Sequence, residues 1–159
     1  MMKKIMKALL SLLMIVPISG CSGEKTVGRD IKIDDITEFY YTYSSSTNPP
    51  DYQRYRFYVD DGKYMFYHEA RKGDHWPLTE DDITVSGKVE LTEEQWKEFF
   101  KLLENGKVKK REEHLESGDP GPWLYLYWKK DGGEVQEFSF ETGGRVLEFV
   151  EFCRKLAAQ

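Results

Sequence analysis

Segments 36–43, 52–70 and 83–91 alternate apolar and polar positions with a period of two, and the period lengthens to a helical one twice, after residue 92 and near the C-terminus. From Ile36 to Tyr43, the positions Thr37, Phe39, Tyr41 and Tyr43 share one side, as in a half-buried strand. Pro49 and Pro50, which lack a backbone donor, and the serines before them end it. Asp61-Gly62 lies between two aromatic runs and suits a two-residue turn, which predicts a hairpin over Tyr52 to Ala70. Closing that hairpin on Asp60 and Lys63 puts Val59 opposite Tyr64, Phe57 opposite Phe66 and Tyr55 opposite His68 on one face. Arg54 then meets Glu69, and Arg56 meets Tyr67, on the other. Ile83, Val85, Val89 and Leu91 make a fourth strand, in which Gly87 reads as a bulge.

Thr92 and Gln95 form a capping box ahead of Trp96, Phe99, Phe100 and Leu103 at helical spacing, and Asn105-Gly106 closes that helix. Residues 107–122 read as a long charged connection, either mobile or a binding loop. Trp123 to Trp128 and Glu134 to Phe140 flank Asp131-Gly132-Gly133 as a second hairpin. A three-residue loop pairs Leu124 with Phe140 and Leu126 with Phe138, whereas a two-residue loop pairs Tyr125 with Phe138; both registers stay open. After Gly143-Gly144, Val146, Phe149, Val150, Cys153 and Ala157 repeat along one helical stripe, widened by Leu147 and Leu156. The predicted fold class is a single α+β domain over residues 31–159. It holds an antiparallel sheet of about six strands with two helices on one face, in the order ββββαββα.

Ahead of this domain, residues 1–20 carry Lys3, Lys4 and Lys7, no acidic residue, and the apolar run from Ala8 to Val16. That is the layout of a secretory signal, and the run is shorter than the roughly 20 residues a membrane-crossing helix needs. Ile18-Ser19-Gly20-Cys21 follows and resembles the lipobox of bacterial lipoproteins. The resemblance implies cleavage between Gly20 and Cys21, a diacylglyceryl thioether on the Cys21 sulfur, and a cell-membrane anchor facing outside the cytoplasm. Two acyl chains make such anchoring stable where one is marginal. Residues 21–30 mix Ser, Gly and charge and read as a flexible tether, with order beginning near Ile31.

Charge and cysteine content sharpen this picture. The chain carries 23 basic and 28 acidic residues, a formal charge of −5; without the three lysines of residues 1–20 the remainder stands at −8, which argues against nucleic acid as a partner. With Cys21 acylated, Cys153 has no disulfide partner, and its place in an apolar stripe makes it a small buried hydrophobe. The segments Pro122 to Tyr127, Lys130-Asp131-Gly132 and Phe140 with the aromatic helix after it are similar to a family of small lipoprotein domains of anaerobic Gram-positive bacteria. No activity is assigned to that family. The resemblance implies the same architecture and location, although the family's proline before the last helix is absent from Thr142-Gly143-Gly144-Arg145.

Candidate chemistry is sparse. His68, His75 and His114 show no short ligand spacing, and Glu80-Asp81-Asp82 lacks the alternating oxygens of a calcium loop, so neither a metal nor a cofactor is expected. No Gly-x-Ser-x-Gly elbow is present. The positive signal is the aromatic content, 4 Trp, 10 Tyr and 9 Phe. If one sheet face stays open, Tyr58, Tyr67 and Trp128, with the loop residue Trp76, are the candidate contacts for a protein, peptide or glycan ligand. The leading expectation is a non-enzymatic binding or accessory lipoprotein. The alternatives are an envelope hydrolase and a protective or inhibitory lipoprotein that binds another protein.

Overall fold

The computed structural model describes residues 23–111, 123–129, 133–140 and 146–159. In chain order these form β1 (Glu24–Thr26), β2 (Ile36–Ser45), β3 (Asp51–Asp60), β4 (Lys63–Lys72), β5 (Ile83–Glu90) and α1 (Glu93–Leu103). They continue through β6 (Lys107–Lys110), β7 (Trp123–Lys129), β8 (Val135–Phe140) and α2 (Val146–Ala157). The eight strands make one sheet in the order β1-β6-β8-β7-β2-β3-β4-β5, antiparallel throughout. The α+β class thus stands, with eight strands where about six were expected and the order βββββαβββα in place of ββββαββα.

The register of β3 and β4 follows the turn chemistry. Asp61 and Gly62 both take positive φ, 47° and 76°, which only a mirror-image two-residue turn requires. Asp60 pairs with Lys63, Phe57 with Phe66 and Arg54 with Glu69, as the alternation implies. In the second hairpin Leu126 pairs with Phe138, so the register of the three-residue loop is the one adopted; Asp131 and Gly132 lie outside the described residues. That register buries both side chains against the helices, whereas its alternative turns Phe138 away from them.

The core lies on one side of the sheet. Phe39 meets Phe99 of α1 at 5.3 Å and Phe149 of α2 at 5.2 Å between ring centroids, both edge-on, and Phe57 stacks on Phe99 at 3.9 Å. Trp96, Phe99, Phe100 and Leu103 of α1 and Phe149, Cys153 and Leu156 of α2 are buried there. Thr92 and Gln95 form the expected reciprocal cap of α1. Leu147, expected in the α2 stripe, is exposed instead. Phe152 packs on the core in the stripe and lies near Phe57. Residues 141–145, with Thr142-Gly143-Gly144-Arg145, lie outside the described residues.

Three further expectations are corrected. Residues 24–30 are no tether: β1 pairs with β6, Val27 is fully buried, and its backbone bonds Gly106 and Asn105 at 3.0 Å each. Lys107–Lys110, expected in a connection, is a strand whose one apolar residue, Val108, enters the core; residues 112–122 with His114 lie outside the described residues. Gly87 pairs regularly with His68, and the irregularity of β5 falls between Val85 and Ile83. Gly87 is there for space: a Cβ on it would come within 2.6 Å of the His68 Nε2.

Candidate functional site

Alternation in the central strands sends every second side chain away from the helices, and among the described residues neither helix covers that outer face. Strand pairing sets its side chains in rows. One row runs Tyr125, Tyr40, Arg56, Tyr67 across β7, β2, β3 and β4; its neighbours run Tyr127, Glu38, Tyr58, Met65 and Thr42, Arg54, Glu69. The pleat places successive rows roughly 7 Å apart and the strands about 4.8 Å apart. The result is an array of phenols and guanidiniums with Glu38 and Glu69 set among them.

Cation–π contacts hold the guanidiniums in place. The Arg56 Cζ lies 4.2 Å from the Tyr58 ring centre and 5.4 Å from that of Tyr40, while Arg111 lies 4.2 Å over Tyr125 and Arg71 4.4 Å over Tyr52. Carboxylates fix their inner edges. Arg56 Nε donates to Glu38, and an Arg111 terminal nitrogen donates to Glu137 at 2.7 Å and reaches the Tyr127 hydroxyl at 3.4 Å. Glu69, only 2 % exposed, takes the Arg71 Nε at 2.8 Å on one oxygen and the Tyr67 hydroxyl on the other. The Leu78 carbonyl, in the loop after β4, accepts from Arg71 at 3.5 Å.

These surroundings fix the charge states. Burial, aided by the hydrogen bond to Glu69, pushes Tyr67 up to about 12, and burial raises Tyr40, Tyr125 and Tyr127 as well, so the phenols stay neutral. Burial pulls Arg56 down, but the hydrogen bond and charge of Glu38 outweigh it and the net shift is upward. Chemically, the described part of the face offers guanidinium and phenol donors set among the carboxylates of Glu38, Glu69 and Glu137.

The four expected contact residues do not converge. Tyr58 and Tyr67 lie on the outer face, though Tyr58 is 9 % exposed beneath Arg56, and Tyr67 commits its hydroxyl to Glu69. Trp76 stands in the loop after β4, 42 % exposed. Trp128 is on the opposite side: it shares the parity of Leu124 and Leu126 and is buried beside Phe138, with the Lys25 Nζ 4.6 Å above its ring. Tyr40, Tyr125, Tyr127, Arg54 and Arg56 take its place. Their signal in the sequence is the even-numbered alternation of β2 and β3 and the odd-numbered one of β7.

The helix side holds a cleft of about 670 Å³ between the β3–β4 turn and α1, with Ile36, Val59, Tyr64 and Trp96 as its apolar lining and Glu93 and Lys97 at its rim. Asp34, Lys101 and Glu104 also line it, and Glu93 and Lys97 are paired with each other. His75 contacts Asp74 and Asp82 at 3.5 and 3.4 Å, and among the described residues no group of three or more His, Cys, Asp or Glu is placed to hold a metal ion. Cys153 is fully buried, and burial raises its thiol well above the ordinary range, away from thiolate chemistry. Cys21 and Gly20 lie outside the described residues, and among those described no helix is long and apolar enough to cross a membrane. No protein-family model, no curated protein and no solved structure matches this chain.

Proposed function

We propose that this chain is a bacterial lipoprotein, cleaved between Gly20 and Cys21, anchored by acyl chains on Cys21 and facing outside the cytoplasm. Its single α+β domain is then a non-enzymatic binding module that works through the outer face of the sheet. The location rests on the signal-like residues 1–20 and on Ile18-Ser19-Gly20-Cys21. The binding role rests on one observation: tyrosines and arginines fill the sheet face that no described helix covers. Binding interfaces concentrate these two residue types because they combine rigid apolar area with directed donors.

An anchor on Cys21 also sets the posture of the domain. Ser22 and Gly23 alone separate it from β1, so the spacer spans at most roughly 10 Å. The domain then rides against the headgroups instead of swinging on a ten-residue leash.

Photo-cross-linking in intact cells tests this reading. Benzoylphenylalanine at Tyr125, on the outer face, is expected to yield partner adducts; the same group at Glu98, exposed on α1, is not. Labelled palmitate is expected to enter the chain but not its Cys21→Ala variant. Adducts from Glu98 alone, or a palmitate-free chain, contradict the proposal.

A further inference from the structure

We propose that the outer face takes an extended acidic peptide, a stretch of another protein with Asp or Glu at alternate positions, and that Arg54 and Arg56 are its anchoring pair. This rests on reading the outer face as a binding surface and names the chemistry of its partner.

The charge balance comes first. In the ion pairs around β3, three arginines, Arg54, Arg56 and Arg71, share two carboxylates, Glu38 and Glu69, in a chain whose formal charge is −5. Arg71 is buried and committed to Glu69. The surplus falls on Arg54 and Arg56, whose side chains keep 32 % and 36 % of their surface exposed. Lys88, exposed on β5 in the row of Arg56, adds a further cation on the same side.

Donor accounting points the same way. Arg54 approaches Glu69 only to 3.8 Å, beyond hydrogen-bonding range, because Tyr67 and Arg71 already occupy both Glu69 oxygens. Arg56 spends Nε on Glu38, and among the described residues its two terminal nitrogens have no hydrogen-bond acceptor. Two planar guanidiniums with outer edges unspent match carboxylates, which accept such edges in pairs.

Spacing and ring geometry then choose among anionic partners. Arg54 and Arg56 are two residues apart on one strand, roughly 7 Å, which is also the repeat of same-side carboxylates along an extended peptide. A carbohydrate would need open ring faces for stacking, but guanidiniums already sit over Tyr52, Tyr58 and Tyr125. The rings serve as props for arginine.

Calorimetric titration of the full chain in detergent, at low and at raised salt, tests the proposal. The probes are a short peptide alternating Glu and Thr, its Gln-Thr counterpart, and oligogalacturonate. The Glu-Thr peptide is expected to bind, more weakly as salt rises, and to lose about tenfold or more in affinity for the Arg54→Gln/Arg56→Gln double variant. Arg29→Gln, at an arginine paired with Asp30 away from this face, is expected to bind like the parent. If the Gln variant fails to melt cooperatively, Arg54→Lys/Arg56→Lys keeps the charges without the planar fork and is expected to bind several-fold more weakly. Binding of the Gln-Thr peptide as tight as that of Glu-Thr, binding unchanged in the double variants, no binding at all, or a preference for oligogalacturonate overturns the inference. Adducts from position 125 alongside such a result leave the binding surface standing and remove only its acidic partner.

Discussion

Glu69 is almost wholly buried, bonds Arg71 and Tyr67, and lies 3.8 Å from Arg54. Glu69→Ala leaves the buried Arg71 guanidinium without its counter-charge, a loss of about 3–5 kcal/mol. Urea unfolding is the measurement, and a change below about 1 kcal/mol contradicts the account. On the other face, burial lowers the His68 pKa below its ordinary 6.5, where the ring stacks on Phe66 and covers Gly87. The unfolded chain therefore binds the proton more readily than the folded one. Stability from this group is complete above pH 6.5 and drains away as the pH falls toward the lowered folded value. Melting curves compared between parent and His68→Phe are expected to diverge below pH 6.5, with the parent losing more; parallel curves contradict this.

Among the elements, the β3–β4 hairpin was fully legible in the sequence, because Asp61-Gly62 fixes the turn and aromatic residues mark one face at every second position. Both helices were legible from their apolar stripes. β1 and β6 were not. Glu24–Thr26 and Lys107–Lys110 have three and four residues and a single buried aliphatic side chain between them, so no period can show; partners far along the chain make them strands. The same pairing makes residues 24–31 part of the fold, with Val27 and Ile31 fully buried. A chain begun at Ile31 is expected to lose at least about 2 kcal/mol through Val27 alone and to melt at a lower temperature. An unchanged melting temperature would make the segment the tether its composition suggests.

At the scale of the whole molecule, the two sides of the sheet divide the work: helices and rings close one side, and the other presents fixed charge beyond the reach of the core. Aromatic identity alone points to Trp128 as an open contact. Its parity with Leu124 and Leu126 sends it inward, so alternation is the stronger guide to a site on a sheet. Arg54 and Arg56 were readable as the polar partners of Glu69 and Tyr67, but their surplus charge emerges only when Arg71 folds onto Glu69 and occupies it. On the proposed lipid anchor at Cys21, the two residues Ser22 and Gly23 would keep the whole domain near the membrane. Arginine modification by phenylglyoxal, mapped by mass spectrometry in intact cells and on the purified chain, tests the outer face as a working surface most directly. Arg54 and Arg56 are expected to be protected in cells and reactive once purified, while exposed Arg29 reacts alike in both; equal reactivity of Arg54 and Arg56 in the two settings contradicts the account.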